Sequence, residues 1–147
     1  MSLNQIFDIA GSGMSAQSIR LNTTASNIAN AETASSSTGD VYRARKPVFA
    51  AVQQDAMRQA MGSDFLAETP ESKGVTVKGI VESDAPLQMR YQPDHPQADE
   101  RGYVYYPNVN VVEEMSDMMS ASRGFQTNVE IMDAAKTMMQ RLLTLGQ

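Results

Sequence analysis

The sequence predicts an α+β fold, with long N- and C-terminal α-helices forming an antiparallel coiled-coil hairpin around a small β-rich middle domain. Three observations carry this reading. Asn108 to Leu145 holds no proline, one internal glycine, and apolar residues in a four-three rhythm. Residues 2–30 hold a second, weaker heptad. Between them the period falls to two, in short runs broken by proline, glycine, serine and aspartate. Spacings of three and four keep one face along a helix, whereas alternation belongs to strands. The expected division is 1–33 for the N-terminal helix, 34–107 for the β-rich middle, and 108–147 for the C-terminal helix.

In the C-terminal helix, Val111, Met115, Met118, Phe125, Val129, Met132, Met139 and Leu143 form one line, interrupted only by Ser122 and Lys136. Ile131, Ala135, Met138, Leu142 and Leu145 widen it near the end. Such a stripe suits packing against another long helix. Asn110 is placed to cap the helix, with Glu113 three residues on as in a capping box. Glu113 and Glu114 favour the positive end of the helix dipole, and Lys136 and Arg141 lie towards the negative end.

In the first thirty residues Phe7, Met14, Leu21 and Ile28 fall seven apart, with Leu3 and Ala10 beside them and a weaker partner line continuing through Gln17 and Thr24. One helix of roughly 45 Å is expected. Its propensity is poor. Gly11 and Gly13 each cost about 1 kcal/mol relative to alanine, and Asn22, Thr23, Thr24, Ser26 and Asn27 favour caps and turns. Such a segment needs a partner to stay helical, either its own domain's core or a neighbouring chain.

Ala31 to Asp40 is small and polar, a loop by composition. Val41–Val52 reads as a strand, with Pro47 marking an edge or a break. Arg43, Arg45 and Lys46 read as a solvated strand face, with an anion site as the alternative. Residues 53–72 keep no period and read as a mobile insert. Lys73–Glu82 alternates as a strand, and Pro86–Gln92 is expected to pair beside it. A turn-rich stretch then leads to a last short strand, Tyr103–Tyr106, closed by Pro107.

Composition narrows the function. A chain of 147 residues with net charge −5 has no basic field for nucleic acid or an anionic membrane. Without cysteine, disulfides and thiolate metal sites are excluded. No basic-then-apolar leader and no apolar run of about 18 residues is present, so a soluble protein that does not span the membrane is expected. Export by a route reading no cleavable signal stays open. His95 is the single histidine, in Pro93-Asp94-His95-Pro96. Adjacent side chains rarely aim at one point, and no nucleophile has a recognisable setting, so a turn histidine is expected rather than a base or metal ligand. Asp94, Asp99 and Glu100 lack EF-hand spacing, and the glycines of GSGMS lack the Gly-Lys-Ser/Thr of a phosphate loop. No cofactor, metal or small-molecule substrate is expected.

Six of the eleven methionines, Met115, Met118, Met119, Met132, Met138 and Met139, lie on the last helix. They cover more of its circumference than one partner helix can hide. Flexible thioethers suit surfaces that meet several non-identical neighbours. Together with the weak first helix, this predicts ends that complete their packing only in an assembly. The simpler reading is the methionine-rich core of a lone hairpin.

Two blocks give the chain a family resemblance. The first is Ser26-Asn27-Ile28-Ala29-Asn30-Ala31-Glu32-Thr33, preceded by Ala16-Gln17 and Leu21. The second runs from Gly102-Tyr103-Val104 through Pro107-Asn108-Val109-Asn110-Val111-Val112-Glu113-Glu114-Met115 to Ala121-Ser122-Arg123, Phe125-Gln126, Asn128 and Leu143-Thr144-Leu145-Gly146. Read together, they resemble the flagellar axial proteins of the rod and hook. The spacing of Tyr91-Gln92-Pro93-Asp94-His95-Pro96 and Ala98-Asp99 before them looks most like a proximal-rod member. The chain departs from the family pattern in the loop 34–43, where Tyr42-Arg43 replaces an earlier Gly-Tyr, and at Phe125, commonly a tyrosine.

The resemblance implies a structural subunit of the drive shaft between the membrane-embedded ring and the hook, exported unfolded through the flagellar type III channel into the periplasmic rod. It implies terminal helices forming an inner coiled-coil layer, with Asn and Ser satisfying close helix contacts, and a β-rich outer layer. The expected packing and assembly surface is Leu3, Phe7, Met14, Leu21, Asn27, Ile28 and Asn30, with Val111, Met115, Met118, Met119, Phe125, Asn128, Val129, Met132, Met139, Leu142 and Leu143. The partners implied are other rod proteins, copies of itself, and the ring/export-gate adaptor end of the rod. A cytoplasmic helical-hairpin adaptor or export chaperone is the competing reading, and a small hydrolase or metal enzyme built on Asp94 and His95 the third.

Overall fold

A computed structural model describes residues 3–53 and 72–145. Helix α1 spans Leu3–Asn30, followed by strands β1 (Arg45–Gln53), β2 (Ser72–Glu82), β3 (Gln88–Tyr91) and β4 (Tyr103–Tyr106), and helix α2 spans Val111–Leu145. Two long helices thus flank a small antiparallel β middle, as the periodicities predict. The insert expected at 53–72 lies outside the described residues, except Gln53, which ends β1, and Ser72, which begins β2.

The helices are antiparallel. Gly11 faces Met132, Gly13 faces Asn128, Gln17 faces Gly124, and Arg20 pairs with Asp117. The line of closest approach is built mostly from small and polar residues, with Met132 opposite Gly11 the member of the predicted apolar stripe that joins it. Elsewhere it runs one position earlier in both helices: Gly13 and Arg20 in place of Met14 and Leu21, and Asp117, Gly124 and Asn128 in place of Met118, Phe125 and Val129. One residue is about 100° of rotation. The cause is steric. A Cβ on Gly13 would lie 2.9 Å from Asn128 Nδ2, and one on Gly124 would lie 3.1 Å from Gln17 Nε2. Each glycine therefore floors a space filled by an amide from the other helix, while Ala10, Ala121 and Ala135 are buried along the same line. Asn128 Nδ2 also donates to the Gly124 carbonyl at 2.9 Å. Gln17 Oε1 is buried there with no hydrogen-bond partner among the described residues.

Strands β1 and β2 form a ribbon in register from Arg45↔Glu82 to Gln53↔Ser72, with irregularities after Val48 and Ala51. Pro47 sits opposite Ile80. Proline is tolerated there because every strand of a two-stranded sheet is an edge. The ribbon lies along α1, where Ser12 Oγ accepts from Val75 N at 3.1 Å and donates to the Ile9 carbonyl at 2.8 Å. Gly74 permits the contact. Its φ is +128°, and a Cβ would collide with Ser12 Oγ.

The segment expected to pair with β2 does not do so. Strand β3 pairs with β4 instead, Gln88↔Tyr106 through Tyr91↔Tyr103, in a separate hairpin. Asn108 Nδ2 donates to the carbonyls of Ser83 (3.2 Å) and Ala85 (2.9 Å), holding the chain just before Pro86 redirects it. At the far end Asp99 Oδ1 accepts from Arg101 N and Tyr103 N, and Gly102 takes φ +81°, which closes the tight return. Asn110 caps α2 as predicted, its Oδ1 accepting from Val112 N at 3.2 Å and Glu113 N at 3.5 Å. Glu113 is drawn to Lys46 Nζ at 2.9 Å, rather than back towards the cap.

Gly13→Val is expected to overpack the helix seam and to cost about 1–3 kcal/mol, seen as a lower urea midpoint with little change in slope. Gly79→Ala, where nothing lies within 4 Å, should leave the midpoint within about 0.5 kcal/mol of the original.

Candidate assembly site

Two asparagines tie the helices to the β middle. Asn27 is 0% exposed, and its amide makes three hydrogen bonds. Its Nδ2 donates to the Arg45 carbonyl at 2.8 Å, while its Oδ1 accepts from Arg45 N at 2.9 Å and Tyr42 Oη at 2.8 Å. A side chain that disfavours a helix interior by propensity is stable here because it pairs the first residue of β1 as a backbone would. Asn108 does the same from the other side, accepting from Ala44 N at 2.8 Å as well as serving Ser83 and Ala85. Between the two lies a small core of Ala31, Ala44 and Val109, with Tyr42 and Val111 packed against it.

The three basic residues of 43–46 are all engaged. Arg45 Nη2 meets Glu82 at 3.0 Å and its guanidinium lies 5.4 Å from the Tyr42 ring centre. Lys46 pairs with Glu113, and Arg43 donates to the Ser83 carbonyl at 3.3 Å. Burial raises the Tyr42 phenol above its ordinary value, opposed by Arg45 and reinforced by Glu114 and Glu82. The hydrogen bond from Glu113 raises the Lys46 ammonium, against a smaller effect of burial.

The predicted stripe now has a definite place. On each helix it follows the seam by one residue. Because the helices are antiparallel and both right-handed, that step turns the two stripes towards the same side of the hairpin. The ribbon takes the opposite side, meeting α1 at Ser12, one residue before Gly13. Phe7, Met14, Leu21, Ile28, Met118, Phe125, Met132 and Met139 are half-buried, as are Asn30 and Asn128, while Val111 packs against the core of Ala31, Ala44 and Val109. Met115 (52%), Met119 (59%), Leu142 (60%) and Leu143 (70%) are exposed, and Val129 is borderline at 37%. Leu3 opens the described part of α1. Val112 and Met138, the latter on the second apolar line of α2, are also exposed. Of the predicted residues whose burial is described, Asn27 alone is wholly enclosed within the subunit. What the helical side offers is thus an apolar surface only partly covered by its own chain, the kind that marks a protein interface.

The chemistry considered at Asp94 and His95 has no supporting geometry. His95 Nδ1 accepts from Gln97 N at 3.1 Å in a turn. Among the described residues no group of three or more His, Cys, Asp or Glu could hold a metal, and no helix is long and apolar enough to cross a membrane.

Residues 7–34 match a family model described as flagella basal body rod protein, and residues 100–145 match one described as flagellar basal body rod FlgEFG protein C-terminal. Over the whole of both chains the sequence is 48% identical to the flagellar basal-body rod protein FlgC of Salmonella typhimurium and 45% identical to that of Yersinia enterocolitica. It is 35% identical to that of Borreliella burgdorferi, covering all of this chain and 99% of the other.

Both raised groups stabilise the fold while protonated. That stability is fully present below their ordinary values, 10.0 for Tyr42 and 10.5 for Lys46, and is lost as pH rises through the higher folded values. The urea midpoint should fall above about pH 10, and Tyr42→Phe together with Lys46→Met should flatten that alkaline limb.

Proposed function

The chain belongs to the flagellar basal-body rod proteins of the FlgC type, and on that premise we propose that the apolar side of its helical hairpin is the surface by which it is built into the rod. It is a structural subunit of the basal-body rod, not an enzyme, and it assembles with other rod components and with itself. The observation that supports the proposed surface is the exposure of Met115, Met119, Leu142 and Leu143 on α2, with Met14, Leu21, Met118 and Phe125 only half-buried. Burying such side chains yields about 1.5–3 kcal/mol each, a gain that neighbouring helices can collect and the lone subunit cannot. In this reading residues 1–33 and 108–147 form the inner, polymerising layer and 34–107 the outer one. Its contacts extend to the ring and export-gate adaptor end of the rod. An export chaperone or adaptor is not favoured, since the relatives that match from end to end are themselves rod proteins.

Leu21→Asp and Met118→Asp each place a charge on this flank. A carboxylate sealed there without a partner costs several kcal/mol, so basal bodies should lack the subunit and cells should not swim. Met119→Asp separates assembly from folding, since Met119 is already 59% exposed. Its isolated chain should keep the original circular dichroism and urea midpoint while incorporation fails. Normal incorporation of all three variants would refute the proposed surface. His95→Ala should leave swimming unchanged.

A further inference from the structure

Where β1 crosses the helices, three ion pairs border a cleft: Arg20 with Asp117 (2.8 Å), Arg45 with Glu82 (3.0 Å) and Lys46 with Glu113 (2.9 Å). Glu114 lines the same cleft and is only 4% exposed. Its backbone N–H donates to the Asn110 carbonyl, but among the described residues its carboxylate makes no hydrogen bond and no ion pair. The cations beside it are each paired with another acid, so four carboxylates face three bases and the surplus charge is the most deeply placed. An enclosed carboxylate is costly unless a cation and its hydrogen bonds compensate it.

We propose that Glu114 is a socket for a guanidinium from a second copy of this chain, and that the guanidinium is that of Arg123; the inference rests on the rod reading above. Arg123 is exposed and forms no ion pair among the described residues. It lies nine residues after Glu114 on α2, two and a half turns or roughly 13 Å along the helix, and so projects from the opposite side. Plug and socket therefore cannot meet within one subunit. Joined between subunits, they make a head-to-tail contact that each added copy repeats, the type of interface that builds rings and helical polymers. The guanidinium fork matches a carboxylate in two hydrogen bonds, and Phe49 and Pro47 on the cleft wall suit its aliphatic stem. Arg141 shares the exposed side, but using it would offset neighbours by roughly 40 Å and leave most of the apolar flank uncovered.

The test replaces the cell's own copy and measures the subunit in isolated basal bodies. Glu114→Gln and Arg123→Gln should each lower its incorporation roughly tenfold or more, the factor attached to a modest loss of contact energy. Arg141→Gln should behave as the original. The isolated Glu114→Gln chain should keep the original circular dichroism spectrum, so that its loss from rods is not a loss of fold. The double variant Glu114→Gln with Arg123→Gln should lose no more incorporation than either single variant, because all three remove the same contact. Arg123→Gln incorporating normally, additive losses in the double variant, or loss of the circular dichroism spectrum by isolated Glu114→Gln would each overturn the proposal. The unaltered chain in the same preparations separates the two readings, since its absence from basal bodies would refute the rod assignment instead.

Discussion

The close approach of two helix backbones over Gly13 and Gly124 governs the rest of the molecule. Glycine in a helix interior is unfavourable by itself, and the cost is offset only because an amide from the facing helix occupies the space each one leaves. A seam made this way is thin. It leaves room for Met132 opposite Gly11, while Met14, Leu21, Met118 and Phe125 stay half-covered. The apolar surface proposed for assembly is therefore a consequence of how tightly the hairpin itself is closed.

The other side of the hairpin is organised by hydrogen bonds. Asn27 and Asn108 stand in for backbone partners at Arg45, Ala44, Ser83 and Ala85, joining α1, α2 and the start of the ribbon in one connected set. Hydrogen-bonded networks of this kind rigidify a junction. For a structural subunit of a rod, the junction between the helices and the β middle is where such stiffness matters. Ser12 against Gly74 then fixes the ribbon further along α1.

Much of this was legible in the sequence. The two helices, the cap at Asn110 and the terminal strand followed from periodicity and local turn chemistry. The seam was legible only in part: the weaker line through Ala10, Gln17 and Thr24 is buried or faces α2, but hydrophobic periodicity ranks the more apolar face one residue away above it. The function of Asn27 was hidden for a related reason. Propensity scores it as a poor helical residue, and nothing local shows that Arg45 and Tyr42 will meet it. The partner of β3 depends on Asn108, some twenty residues downstream of the turn it holds. The charge imbalance at Glu114 required the three ion pairs to be seen in one place.

The pairing of Arg20 with Asp117 joins residues 97 apart, and the Gly13–Asn128 contact spans still more. Closing so long a loop is a late event in folding, since the entropy must be lost before the contact repays it. Neither long helix has its mate until the opposite end of the chain is present. The architecture thus leaves both ends pliant until the chain is whole, and reserves its stiffness for the finished fold.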